Sequence, residues 1–170
     1  MAHLLKRNIF NIICFILFCF FNLFSIISRA QGSTDFLSYV GNTSISFNLN
    51  NTSALQNTQV ISNAFCLHTQ CKSKNAYYYV QASSSCNTTT PMPVSNMILS
   101  FYSTNCPSGT YGSLNTADIA LSTTNQLLFE QFRQHVTAFD FCYSVKIPAI
   151  GTTYNAGTYT FTFLFTMTEP

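Results

Sequence analysis

Two cysteines and a histidine fall within six residues in Cys66-Leu67-His68-Thr69-Gln70-Cys71. Two thiolates and an imidazole at that spacing could ligate zinc or copper, provided a fourth ligand came from elsewhere in the chain. In an oxidising compartment the same two thiols pair with each other and leave His68 as an exposed loop residue, which is the reading taken here. Nucleophilic catalysis needs a base held beside a nucleophile and a third group to orient the base. Beyond residue 30 the imidazoles are His68 and His135 alone, and no Gly-x-Ser-x-Gly elbow accompanies the many serines. A triad of His135, Asp140 and a distant serine has no local motif behind it. The five acids, Asp35, Asp118, Glu130, Asp140 and Glu169, are too scattered to suggest paired carboxylates for glycoside cleavage. The chain therefore reads as a non-enzyme with no cofactor and no resident metal. Tyr77-Tyr78-Tyr79 could stack on sugar rings or line an adhesive face. On a strand at least one of the three must point outward, so a core-plus-surface strand explains the run equally well.

The compartment follows from the N-terminus. Lys6 and Arg7 precede an apolar stretch from Ile9 to Ile27, interrupted at Asn11 and Asn22, and Ser28-Arg29-Ala30 supplies a small-residue exit. Residues 1–30 thus read as a cleaved signal peptide, with a retained membrane anchor as the alternative. The expected product, residues 31–170, is a single domain large enough to bury a core. It keeps Lys72, Lys74, Arg133 and Lys146 against five acids, a net charge of 4 − 5 = −1 with histidine neutral. Nothing basic remains to track a phosphate backbone, so nucleic acid is excluded as a partner, and membrane contact is expected only during export. Low charge and abundant Ser, Thr and Asn imply a surface solvated by hydroxyls and amides that repels other copies weakly. Five cysteines remain, Cys66, Cys71, Cys86, Cys106 and Cys142, and in an exported chain they read as a disulfide framework with one left over. Cys66 with Cys71 and Cys86 with Cys106 are the local pairings to test first. Asn42, Asn50, Asn51 and Asn87 begin Asn-x-Ser/Thr sequons, which so Ser- and Thr-rich a sequence generates readily.

The elements that must position these residues are strands. Ile45, Phe47 and Leu49 alternate with Ser46 and Asn48, a half-buried strand pattern. Val60 to Leu67, Tyr77 to Ala82 and Asn96 to Tyr102 are further candidates, bounded by Asn, Ser, Pro and Gly. Asn125 to His135 fits either a short amphipathic helix or the approach to a strand. The strongest pattern lies in the last 32 residues. Phe139, Phe141, Tyr143, Val145 and Ile147 take every second position, and after Pro148, Gly151 and Gly157 the alternation resumes with Tyr159, Phe161, Phe163, Phe165 and Met167. Thr158, Thr160, Thr162, Thr166 and Thr168 populate the other face, with Leu164 the exception. These read as two long strands, an antiparallel pair at the centre of an all-β antiparallel sandwich of about seven strands.

Residues 143–167, with Ile147-Pro148-Ala149, then Asn155-Ala156-Gly157-Thr158-Tyr159 and an alternating terminal strand, resemble the end of spore coat protein U domain proteins, which belong with the secreted pilin-like subunits of chaperone–usher systems. The resemblance implies a single Ig-like, pilin-like sandwich. It also implies a secreted or cell-surface structural subunit, with adhesion as a candidate role, that assembles by strand exchange with itself or with other pilin-like subunits and needs a periplasmic chaperone in transit. Phe36, Ile45, Phe47 and Leu49 are then the candidate donor-strand residues. The simpler alternative makes Ser44 to Asn50 the first strand of its own domain, and the protein a self-contained secreted binding module, lectin-like or host-directed, working through surface loops.

Overall fold

In the structure, a computed structural model, the residues described are 35–41, 44–87, 91–133, 137–151 and 153–170. Those from Asp35 to Pro170 form one compact unit, and the expected signal peptide, residues 1–30, lies outside the described residues. The unit is an antiparallel β-sandwich of two five-stranded sheets. Sheet A takes the order β1 (Phe36–Gly41), β3 (Gln59–Gln70), β9 (Phe139–Ile147), β5 (Ile98–Thr104), β7 (Ile119–Ala120). Sheet B takes the order β2 (Ser44–Leu49), β10 (Gly157–Thr168), β4 (Ala76–Cys86), β8 (Gln126–Gln131), β6 (Tyr111–Leu114).

The side chains explain both the strands and their sorting into layers. In β9 the buried positions are Phe139, Phe141, Tyr143, Val145 and Ile147, and each intervening residue is only half-buried. In β10 the inward set begins Gly157, Tyr159, Phe161 and Phe163. Two strands that each bury a whole aromatic face are best satisfied when those faces meet across the core, because side by side in one sheet they would still need a second layer. The structure takes the first solution, which corrects the sequence expectation of an antiparallel β9–β10 pair. β9 is the central strand of sheet A, β10 lies in sheet B, and the connection between them carries the chain from one layer to the other. Amides of Ile150 and Gly151 in that connection both donate to the carbonyl of Leu55 at 3.0 Å. Leu55 is the buried residue of a one-turn helix, α1 (Thr52–Gln56), whose N-cap is Asn51: its side-chain oxygen accepts from the Ala54 amide at 2.8 Å.

Aromatic rings bridge the layers. Tyr78 of β4 stacks on Phe129 of β8 at 4.5 Å between centroids, and Phe129 stacks in turn on Phe141 of sheet A at 3.8 Å. Phe65 of β3 meets Phe163 at 5.4 Å and Phe165 at 5.2 Å across the core, and Tyr143 at 5.7 Å within its own sheet. The segment left open between helix and strand is a strand. Residues 126–131 are β8 rather than a helix: the segment pairs between β4 and β6, and Phe129 turns inward onto Phe141 of the facing sheet. The ten strands of the described residues exceed the expected seven because β1, β6 and β7 carry no visible alternation of their own.

Gly41 ends β1 at a φ of 131°, and a Cβ there would sit 3.1 Å from that of Phe65. Both the dihedral and the close approach demand glycine where the chain leaves sheet A. Gly41→Ala should cost about 1–3 kcal/mol for the strained backbone. Phe161→Ala, which empties a fully buried ring position, should cost about 3–5 kcal/mol. Urea denaturation of each variant against the parent measures both.

Candidate functional site

Two places gather the residues singled out from sequence. The first is the seam between β2 and β10. Leu49 lies opposite Gly157, Phe47 opposite Tyr159 and Ile45 opposite Phe161, all antiparallel. Ile45, Phe47 and Leu49 are 7%, 5% and 1% exposed, so the candidate donor residues fill the core of their own chain. Phe47 meets Phe161 edge-on at 6.5 Å. On the outer face, hydroxyl pairs reinforce the seam: Ser44 with Thr162 at 3.0 Å and Ser46 with Thr160 at 2.8 Å. β2 is nevertheless an edge strand whose only strand neighbour is β10. The fourth candidate, Phe36, belongs to a different surface. It lies in β1, at the edge of the other sheet, and its ring sits 5.5 Å from that of His68.

That surface, the outer face of sheet A, is the second place. Cys66 of β3 is directly opposite Cys142 of β9, and the two form a disulfide. The pairing of Cys66 with Cys71 is therefore overturned, for a reason of parity. Residues five apart on a strand point to opposite faces, so Cys66 faces outward while Cys71 is fully buried. Burial pushes the Cys71 thiol up to about 11, with Asp35 and Glu169 adding to the effect. The expected Cys86–Cys106 bond is not formed either, since Cys106 keeps its thiol. The registers place the two at opposite ends of the sandwich: Cys86 opposite Tyr159, where β10 begins, and Cys106 beyond Thr104, which is opposite Phe141 near the start of β9.

Two residues along from the disulfide, His68 faces Asp140, with Nδ1 2.6 Å from the carboxylate oxygen Oδ1. His68 is thus a strand residue and not the loop residue expected. The other carboxylate oxygen accepts from Asn105 Nδ2 at 3.2 Å, and the Asp140 amide donates to Asn105 Oδ1 at 2.8 Å. On the far side of His68, Ser38 of β1 completes a row across three strands, but its hydroxyl donates to the His68 carbonyl oxygen at 3.4 Å and not to the ring. An imidazole oriented by a carboxylate is half of an acid–base site. Among the described residues no nucleophile is hydrogen-bonded to its other nitrogen. His135, the other imidazole, lies outside the described residues. Among the described residues no group of three or more His, Cys, Asp or Glu side chains is placed to hold a metal.

The two ends of the unit are tied at one turn. The Asp35 carboxylate accepts from the Lys72 amide, from the Ser73 amide at 3.0 Å and from the Ser73 hydroxyl, and it shares a hydrogen bond with Glu169 after β10. Partial burial raises the Asp35 pKa, and these hydrogen bonds outweigh it, so the carboxyl stays below its ordinary range. Glu169 is raised instead, first by that hydrogen bond to Asp35, then by burial and by the Asp35 charge. The shared hydrogen bond thus moves the two carboxyls in opposite directions, Asp35 down and Glu169 up.

Among the described residues no helix is long and apolar enough to cross a membrane. No protein-family model, curated protein or solved structure matches the chain. The likeness of residues 143–167 to spore coat protein U domains rests on those residues alone.

The sequence carries the facing of the two bonded cysteines, though not their pairing. Cys66 stands between Phe65 and Leu67, and Cys142 between Phe141 and Tyr143, so both cysteines occupy the outward phase of a strand with buried neighbours. Peptide mapping without reduction should recover the Cys66 peptide linked to the Cys142 peptide, and no Cys66–Cys71 species. The acid pair gives a pH test. A carboxyl whose folded pKa is raised contributes stability at low pH and loses it as pH rises through that pKa. Glu169→Gln keeps a donor toward Asp35 without needing a proton. It should raise the melting temperature at neutral pH and leave it unchanged in acid, as thermal melts across that range would show.

Proposed function

We propose that this chain is an exported β-sandwich module that folds complete on its own and works by binding at its surface, outside the cytoplasm or on the cell surface. The observation that carries the reading is the near-complete burial of Ile45, Phe47 and Leu49 within the chain's own core, which leaves no strand for a partner to supply. Export is supported by the basic, apolar and small-residue succession of residues 1–30 and by the Cys66–Cys142 bond, a linkage at home in an oxidising compartment. The sparse charge argues for a partner that is neither nucleic acid nor strongly ionic.

A second reading, a pilin-like structural subunit assembling by strand exchange, has one observation in its favour. β2 lies at a sheet edge, and Gly41 marks the point where the chain leaves sheet A for it. The same alternating residues could fill the equivalent place in another copy, and a periplasmic chaperone would then be needed to shield the vacated groove. Light scattering after size exclusion separates the two readings, using residues 31–170 beside a version lacking residues 31–50. The self-contained module predicts a monomer for the first and an aggregated or unfolded chain for the second, whose core has lost β1 and β2. Long oligomers that disappear on truncation would replace the module with the strand-exchanging subunit.

A further inference from the structure

The outer face of sheet B carries a strip that the core does not use and that the β2–β10 seam shares only at Thr162, whose hydroxyl meets that of Ser44. Along β4 the outward residues are Tyr77, Tyr79, Gln81 and Ser83, spaced about 7 Å apart as alternate strand positions are. Register sets them opposite Thr168, Thr166, Leu164 and Thr162 of β10. Tyr78, between the two outward tyrosines, is fully buried. At the Ser83 end the strip deepens into a groove of about 360 Å³, because the segment after β7 rises beside β4 and contributes Thr123 as a wall. That wall is held in place: the Ala82 amide donates to the Ser122 carbonyl at 2.8 Å, and the Ser122 and Thr124 hydroxyls meet at 2.7 Å.

The chemistry of the lining selects its occupant. Ala82, Phe163 and the 53% exposed Leu164 make the lining mostly apolar, Gln81, Ser83, Thr123 and Thr162 add an amide and three hydroxyls, and no charged residue lines the groove. Hydroxyls and amides ringing an apolar spot, continued by two tyrosine rings, match a ligand that alternates apolar faces with hydroxyls and carries no charge. From this geometry we propose that the strip binds a neutral oligosaccharide in extended form, with sugar rings on Tyr79 and Leu164 and their hydroxyls on Gln81 and the groove threonines. The acid nearest the strip, Glu130, stands beside Tyr77, where its charge raises the phenol pKa and would repel an acidic saccharide. A second copy of the chain is the poorer occupant. A stable protein interface needs roughly 1,200 Å² or more of buried surface, whereas a walled groove of 360 Å³ has the dimensions of a small-ligand site.

The proposal deepens the binding-module reading and rests on it. Its test titrates the isotope-labelled protein, expressed for export so that its own processing is retained, with cellohexaose, maltohexaose, laminarihexaose and N-acetylchitohexaose at millimolar concentrations. Polygalacturonate serves as the acidic comparison. At least one neutral hexasaccharide should shift the resonances of Tyr79, Gln81, Thr123 and Leu164 saturably, and polygalacturonate should not. Tyr79→Ala and Gln81→Ala should each weaken that binding about tenfold, while Tyr79→Phe, which keeps the ring, should retain it. Thermal melts of the same samples confirm that the variants are folded. The proposal is overturned if none of the four neutral probes shifts these resonances, if the shifts map elsewhere, or if both alanine variants bind like the parent. Light scattering on the same sample keeps the two claims apart: a monomer without saccharide binding removes the groove's assignment and leaves the module standing, whereas strand-linked oligomers remove the module itself.

Discussion

Everything in this fold depends on two long strands having their aromatic faces buried at once. β9 and β10 together place Phe139, Phe141, Tyr143, Tyr159, Phe161 and Phe163 in the interior, and neither strand can cover its own rings. Facing each other from opposite sheets, they define the thickness of the sandwich and fix which residues of every neighbour turn inward. β3 and β5 pair with β9, and β2 and β4 pair with β10, so the phase of each is inherited from the strand it flanks. A slip of one residue would turn outward rows into the core: Ser and Thr hydroxyls from β2 and β10, or Asp140, Cys142, Ser144 and Lys146 from β9. The stack of Tyr78, Phe129 and Phe141 then locks the two layers in register with each other.

The same requirement explains the behaviour of the N-terminal segment. Sheet A needs an edge beside β3 and sheet B needs one beside β10, and a single stretch of chain serves both by crossing from β1 to β2. Leu37 and Tyr39 pack against the core from one layer, while Ile45, Phe47 and Leu49 enter it from the other. The carboxyl clamp at Asp35 holds the start of this stretch to the end of β10. Removing the segment would expose both layers together, so its burial bears on function as well as on stability.

How far the sequence discloses this depends on the range of each signal. Alternation is local, so β2, β9 and β10, the starts of β3 and β4 and the sandwich class are legible from Ile45 to Leu49, Phe139 to Ile147 and Tyr159 to Met167. Pairing is non-local, and it is there that expectation and structure part. Nothing in residues 148–156 distinguishes a hairpin from a crossing between sheets; the difference is decided by what covers each aromatic face. The cysteine pattern misleads in the same way, since nearness in sequence favours Cys66 with Cys71 while strand parity forbids it. The partnership of Cys66 and Cys142 spans 76 residues and becomes visible only once β3 and β9 are known to be neighbours. His68 and Asp140 come together through that same pairing. The tyrosine run tells only that at least one ring faces outward; the structure turns Tyr77 and Tyr79 out and Tyr78 in, and the wall that makes a groove beside them comes from Thr123, in a segment with no pattern of its own.

With so few charges, this domain must guard its sheet edges by other means. Charged side chains are the usual deterrent to edge-to-edge pairing, and the alternatives here are brevity and interruption. β7 has two residues and β6 four, too short to template a partner strand. β1 covers β3 only from Phe65 to Gln70, and the remaining stretch of β3 would be an open edge with Val60 and Ile61 exposed. There the register breaks between Ile61 and Phe65, with Asn63 at a φ of 48° and its amide donated inward along the sheet to the Ser144 hydroxyl at 3.1 Å. A bulge bends a strand away from the flat geometry that addition requires. β2 is long and regular by comparison, and what protects it is the depth to which Ile45, Phe47 and Leu49 are already committed to the core. An edge secured in that way is held by its own side chains, and a strand from another copy could displace it only by carrying the same three into the core.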